Sequence, residues 1–157
     1  MNRFVMLVLI GLCWIQSPLA KKQIALTFDD APRPDTTLSG KERTDMMLAA
    51  LKVVDVEQVM FFVSTKHVNE VTKNRLVDFQ KAGHLIANHS DQHTWLHKTD
   101  LADYQKDVLK ADNILKSYPN FKPFFRFPYL DEGRDEDKSQ GMIDFLKKHD
   151  YKDGYVT

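Results

Sequence analysis

Gly83-His84-Leu85-Ile86-Ala87-Asn88-His89-Ser90-Asp91-Gln92-His93 joins a helix stop, a buried-strand run and two histidines four residues apart without a break. Glycine ends the preceding helix, and the short apolar run after it has the length of a strand. Loops that leave the strands of an α/β protein carry its chemistry. Two other stretches share this layout. Gln23-Ile24-Ala25-Leu26-Thr27-Phe28 leads into Asp29-Asp30, and Phe124-Phe125-Arg126-Phe127 leads into Pro128-Tyr129.

Outward from these stretches, strands and helices alternate. Proline-rich Ala31 to Asp35 stops the first strand by removing ladder donors. Ser39-Gly40-Lys41-Glu42 has capping-box spacing, and Met46 to Leu51 continues as a helix. Val59 to Val63 reads as a second strand, residues 68–82 as a helix stopped by Gly83, and His84 to Asn88 as a third strand. Leu101, Tyr104, Val108, Ala111 and Leu115 recur in steps of three and four, which makes one buried helix face. Phe124 to Phe127 is a fourth strand, Asp131 to Lys138 a charged loop, and Met142, Phe145, Leu146 and His149 lie on a last helix before a fifth strand, Gly154 to Thr157. Such alternation implies a parallel sheet with right-handed crossovers.

The 157 residues, 43% hydrophobic, suit one domain with a core. Its 22 basic and 22 acidic residues cancel, which leaves no broad field for nucleic acid and is compatible with a neutral sugar polymer or a small substrate. Asn2-Arg3 followed by apolar Phe4 to Ile15 reads as a secretion leader over residues 1–20, so the chain is expected to be exported, periplasmic or secreted. The run is shorter than the roughly 20 residues of a membrane span, so no stable span is expected after cleavage. Pro18 fits the cleavage site poorly, and a retained anchor or a buried strand is the alternative. Cys13, the only cysteine, lies in this segment, leaving the mature chain without disulfide or thiol nucleophile. The chain stops within its fifth strand, as a truncated reading frame would; oligomeric state is not legible.

His89 and His93 are spaced as metal-binding imidazoles often are on a helical turn or tight loop. His97 extends the spacing as a competing ligand but, past Trp95-Leu96, reads more as a surface or core-edge residue, while His67, His84 and His149 have no partner in sequence and read as structural. Asp29 and Asp30 would point to opposite sides of a regular strand, but a strand end twisting into a loop can bring both to one pocket. One carboxylate would then hold a metal and the other take a proton; a solvated Asx-type turn is the alternative. Arg126, between phenylalanines, requires an acidic partner if buried, and an aspartate of the site can be that partner. Phe127 and Pro128 shape the strand exit, and the Tyr129 N–H is a candidate oxyanion donor. Trp95 and Tyr129 are candidates for stacking on sugar, although aromatics near strand ends are as often core.

Together the segments resemble the polysaccharide deacetylase family, the NodB-homology carbohydrate esterases. Thr27-Phe28-Asp29-Asp30 matches its T-F-D-D motif, Gly83 to His93 its G-H-x-[IL]-[GA]-N-H-[ST]-x-x-H motif, and Arg126 to Tyr129 its R-x-P-Y motif. The resemblance implies a distorted (β/α) barrel of mainly parallel strands, incomplete here, spanning residues 21–157. It implies that Asp30, His89 and His93 bind a divalent metal, most expectedly zinc. Asp29 would be the catalytic base, Arg126 its orienting partner, the Tyr129 N–H an oxyanion donor, and Pro128, Tyr129 and Trp95 substrate contacts. The implied substrate is an acetylated polysaccharide of the N-acetylglucosamine type: peptidoglycan, chitin or an exopolysaccharide.

Two family segments, aspartate-tryptophan and the leucine-histidine that supplies the general acid, have no counterpart before Thr157. Zinc binding with weak turnover is therefore expected. Ala31 stands where the family has glycine, and Thr94 where it has proline. Removal of O-acetyl groups from xylan, a non-catalytic glycan-binding protein, and an α/β binding domain with structural histidines are the other readings.

Overall fold

The computed structural model describes residues 24–156. The leader expected over residues 1–20, Gln23 of the first strand and Thr157 lie outside them. Five parallel strands, β1 (Thr27–Ala31), β2 (Met60–Val63), β3 (Leu85–Asn88), β4 (Phe121–Phe125) and β5 (Lys152–Asp153), form one sheet in chain order. Helices α1 (Gly40–Val53), α2 (Lys73–Lys81), α3 (Leu101–Leu115) and α4 (Glu136–Lys148) connect them. Neighbours in sequence are thus neighbours in the sheet, as in a (β/α) barrel and unlike the reversing order of a doubly wound sheet. Among the described residues, no helix is long and apolar enough to cross a membrane.

Register sorts the strand residues by face. Phe28, Phe61, Ile86 and Phe121 lie abreast, and Phe61 and Ile86 share a core with Leu51 of α1, Leu76 and Phe79 of α2 and Leu115 of α3. A second core joins Phe125 to Tyr104 and Val108 of α3 and to Met142 and Phe145 of α4. The stripe read from α3 is core: Tyr104, Val108, Ala111 and Leu115 are fully buried. The opposite face, with Thr27, Met60, Phe62, Leu85 and Arg126, lines an open groove of about 310 Å³.

Several element bounds differ from the sequence reading, each for a local reason. The first strand does not end before the aspartate pair but runs through it, with a register irregularity between Phe28 and Ala31. The helix expected from residue 68 begins only at Lys73. The Asn69 side chain accepts the Val71 and Thr72 N–H groups at 2.9 and 3.1 Å, and the Thr72 hydroxyl accepts the Asn69 N–H at 2.9 Å, an Asx-type turn that competes with helix. Gly83 ends α2 as expected, at φ +84°. The capping box forms at α1, with Glu42 N–H donating to Ser39 Oγ at 3.2 Å and Ser39 N–H to the Glu42 carboxylate at 2.8 Å. The charged loop is shorter than expected because Asp135, accepting the Lys138 N–H at 2.8 Å, caps α4 at Glu136. Arg126 and Phe127 lie just beyond β4 rather than within it, and β5 precedes Gly154 rather than following it.

Candidate metal centre at the strand ends

The three sequence stretches meet at the C-terminal edge of the sheet. Seven non-glycine residues among those described have positive φ, and five of them, Asp30, Ser90, His93, Tyr129 and Leu130, lie in these strand-end loops. Left-handed backbone costs an L-residue about 1–2 kcal/mol, and such strain gathers at functional sites where surrounding contacts hold it. At Asp30 (φ 62°) it has a visible result. The left-handed turn breaks the strict alternation of the strand, and the adjacent carboxylates of Asp29 and Asp30 serve neighbouring parts of one site.

Asp30, His89 and His93 each offer one ligand atom within 4.8 Å of the others. The Asp30 carboxylate lies 2.8 Å from His93 Nε2 and 3.8 Å from His89 Nε2. His89 is almost fully buried, and its Nδ1 lies 2.7 Å from the Arg126 carbonyl. A carbonyl can only accept, so Nδ1 carries the proton and the Nε2 of the neutral ring keeps its lone pair facing Asp30. Burial holds the His89 imidazole below the usual histidine range, which favours that neutral form. The hydrogen bond from His93, then the guanidinium of Arg33, lower the Asp30 carboxyl well below the usual carboxylate range against the opposing effect of burial. Two imidazole nitrogens and an ionised carboxylate are a donor set that fits a divalent cation of the zinc type.

Asp29 is partly open to solvent, and its carboxylate accepts a 2.6 Å hydrogen bond from Arg126. The guanidinium is 4% exposed: Nε donates to the Gly154 carbonyl at 2.7 Å and NH1 also to Thr27 Oγ1 at 2.9 Å, while its carbon lies 3.9 Å from the centre of the Phe62 ring. The acidic partner that a buried arginine requires is therefore Asp29. Tyr129, 51% exposed, sets its ring edge-on to His93 at 4.6 Å. Trp95 lies between the two alternatives of sugar platform and core. It is half-buried, stacked on Tyr129 at 3.9 Å between ring centres and 4° between planes, with Lys98 over the ring at 5.4 Å. Pro128 is buried at the start of the tight turn that presents Tyr129.

The competing ligand His97 is elsewhere, with Nδ1 2.9 Å from the buried Asp131 carboxylate. His84 is buried and His149 closes α4, consistent with structural positions, but His67 lines the cavity beside Asp30 and His93. Neither histidine of the pair lies on a helical turn. The loop between them is held by groups that no motif contains. The Asp107 carboxylate on α3 accepts the N–H groups of Asp91 and Gln92, both at 3.1 Å. The Asp91 carboxylate, itself buried, accepts from Thr65 Oγ1 at 2.7 Å and Lys110 Nζ at 2.6 Å. Asn88 Oδ1 accepts the Ser90 N–H at 2.8 Å, and Ser90 Oγ accepts the His93 N–H at 3.0 Å. The signal for Asp107 was a carboxylate flanking the buried stripe of α3, which sequence alone does not aim at a loop.

A parallel sheet in chain order, with two histidines and an aspartate gathered at its C-terminal edge, defines an α/β protein of the barrel type with a His-His-Asp centre. The chain belongs to the polysaccharide deacetylase family, whose model matches residues 16–152. It is 31% identical over 113 residues to a peptidoglycan-N-acetylglucosamine deacetylase of Bacillus cereus, covering 71% of this chain and 38% of that protein. It is 28% identical over 137 residues to the peptidoglycan-N-acetylmuramic acid deacetylase PdaC of Bacillus subtilis, covering 85% of this chain and 27% of that protein. A solved peptidoglycan N-acetylglucosamine deacetylase superposes with a TM-score of 0.66 at 28% identity, over 87% of this chain and 57% of that one. The chain thus spans well under half the length of the two sequence relatives.

Proposed function

We propose that the chain is a metal-dependent hydrolase that removes N-acetyl groups from an N-acetylglucosamine-type polysaccharide, with peptidoglycan the substrate that its relatives favour. The observation that carries this reading is the convergence of Asp30, His89 and His93 within 4.8 Å beside the Asp29–Arg126 pair. Asp30, His89 and His93 would hold the metal, zinc by donor type. When bound, it would supply Lewis acidity toward water and the acetyl carbonyl.

The chain's own residues divide the remaining work. Asp29, partly open to solvent, stands beside Asp30 to take a proton from attacking water. Arg126 is a positioning residue: with Gly154, Thr27 and Asp29 as acceptors it fixes which way the Asp29 carboxylate faces. His89 keeps its protonated nitrogen on the Arg126 carbonyl, which ties the orientation of the cluster to the same residue that orients the base. The backbone N–H of Tyr129, on the turn whose ring lies against His93, is assigned to the oxyanion of the tetrahedral species. Export, expected from residues 1–20, belongs to this reading because it brings the chain to a wall polymer.

Acetate release from N-acetylated and O-acetylated oligosaccharides, with zinc-loaded and chelated protein side by side, tests the reading. Zinc-dependent release from the N-acetylated series supports it. Release from esters alone would move the assignment to an O-acetyl esterase, and glycan binding without release to a non-catalytic glycan-binding protein.

A further inference from the structure

Beside the His-His-Asp cluster lies a cavity of about 500 Å³, lined by Asp30, His93 and Tyr129 together with Arg33, Arg43 and Lys66. That volume falls within the roughly 300–1,000 Å³ of small-ligand sites. The charges around it do not cancel. Of the carboxylates around it, Asp29, Asp30 and Asp91 are paired, with Arg126, Arg33 and Lys110, while Asp35 and Asp107 accept backbone N–H groups. Two of the cations lining the cavity have no ion pair. Arg43 donates only to neutral acceptors, Thr36 Oγ1 at 2.8 Å and the carbonyls of Arg33 (3.0 Å) and Pro34. Lys66 Nζ donates to the Gln92 carbonyl at 3.2 Å. Among the described residues, neither lies within ion-pair distance of a carboxylate. Beneath the same loop Arg75, 8% exposed, donates to the Arg33 carbonyl at 2.6 Å and to Thr44 Oγ1 at 2.9 Å, a further cation that Asp35 offsets only from beyond ion-pair distance.

This excess is local, because the chain as a whole has formal net charge zero. It is also partly enclosed: Thr44 and Ser64 are buried beside it and Arg43 is half-buried. A concave site with one sign of charge and low-dielectric walls focuses its field on whatever enters. A neutral glycan gains nothing from this field, whereas an anionic group on the sugar next to the acetyl group being removed gains directly.

We propose that Arg43 and Lys66 form a subsite for a carboxylate carried by the polymer, so that the chain selects acidic N-acetylated glycans over neutral ones. This rests on the deacetylase reading and adds to it the charge class of the substrate. The carboxylate has two sources in a wall polymer, an ether-linked acid on the sugar and the free carboxylates of an attached peptide.

Binding to the zinc-loaded chain, followed by NMR titration, separates the possibilities. The probes are an alternating N-acetylglucosamine–N-acetylmuramic acid tetrasaccharide with free carboxylates, the same glycan with those carboxylates as methylamides, its peptide-bearing form, and the neutral N-acetylglucosamine tetramer. The expected result at low salt is about tenfold tighter binding of a carboxylate-bearing probe than of either neutral one. That preference should largely vanish near 1 M salt, where the screening length falls to about 3 Å. Lys66→Gln, at an exposed side chain, should bring charged and neutral probes to within about threefold of each other, and Arg43→Gln should do the same if it folds. Tighter binding of the sugar-acid probe or of the peptide-bearing probe assigns the carboxylate to that source. Equal binding of charged and neutral probes would overturn the subsite while leaving the deacetylase reading intact. A folded, zinc-loaded chain that binds none of the four would overturn both.

Discussion

Replacing Arg126 probes the link between the fold and the candidate base. In Arg126→Ala the Gly154 carbonyl loses its 2.7 Å donor, Thr27 Oγ1 its 2.9 Å donor and Asp29 its 2.6 Å partner, and the guanidinium leaves the Phe62 ring. An orphaned buried carbonyl costs about 1–3 kcal/mol. The half-exposed ion pair contributes no more than about 1 kcal/mol, since solvent screens Asp29. The cation–π contact adds about 1 kcal/mol. The variant should therefore be destabilised by about 4 kcal/mol. In a chain of this size that corresponds to a fall in Tm of roughly 8–16 °C. Arg126→Lys keeps a charge near Asp29 but lacks the planar fork that reaches its acceptors from two nitrogens, so about half the loss should remain. Thermal unfolding of the metal-free protein, followed by circular dichroism, measures both. If Arg126→Ala melts within about 2 °C of the parent, the buried guanidinium does not anchor the site and the argument for its positioning role fails.

Asp107→Ala should weaken zinc binding by about 10–100-fold in a chelator competition, because outer groups that fix ligand orientation contribute on that scale. Asp107→Asn, which keeps one acceptor oxygen for the loop amides, should lose less; equal affinity in all three proteins would show that the loop holds its shape without α3. His67 and His84 are both held below the ordinary histidine range, first by burial. The unfolded chain therefore binds protons at a higher pH than the folded one, so the stability these residues contribute is present above about pH 6.5 and lost as pH falls through their lowered folded values. The Tm of the metal-free protein should drop between about pH 7 and pH 5, and a flat or rising profile would contradict the burial of these rings. Gly154→Ala would set a Cβ 2.5 Å from the Phe62 ring and 3.0 Å from the Phe125 carbonyl, so it should destabilise by about 1–3 kcal/mol in urea unfolding.

What was legible in the sequence was whatever is carried by contiguous residues. The run from Gly83 to His93 contains the helix stop, the strand and both imidazoles in order, and all three lie where the run puts them. The α3 stripe was legible because its apolar residues follow the helical period and nothing local competes. The bounds of α2 were not, because the side chains of Asn69 and Thr72 capture backbone groups that the pattern assigns to a helix. The continuation of β1 through the aspartate pair was equally hidden, since it depends on left-handed backbone at Asp30 that no side-chain pattern encodes. Within the site, Asp30, His89 and His93 were readable as donors, and the Asp29–Arg126 pair followed from the cost of burying an arginine. Asp107 and Lys110 were not readable, for they act on the backbone amides of the histidine loop and on Asp91 across the fold. The stacking of Trp95 on Tyr129 was not legible, because an aromatic at a strand exit gives no sign of which neighbour will cover it.

The central claim is that Asp30, His89 and His93 form one metal centre, and zinc stoichiometry on the purified chain tests it most directly. The account predicts close to one zinc per chain, lost on His93→Ala and on Asp30→Ala in proteins that remain folded. A folded parent that binds no zinc, or variants that bind it as well as the parent does, would contradict it.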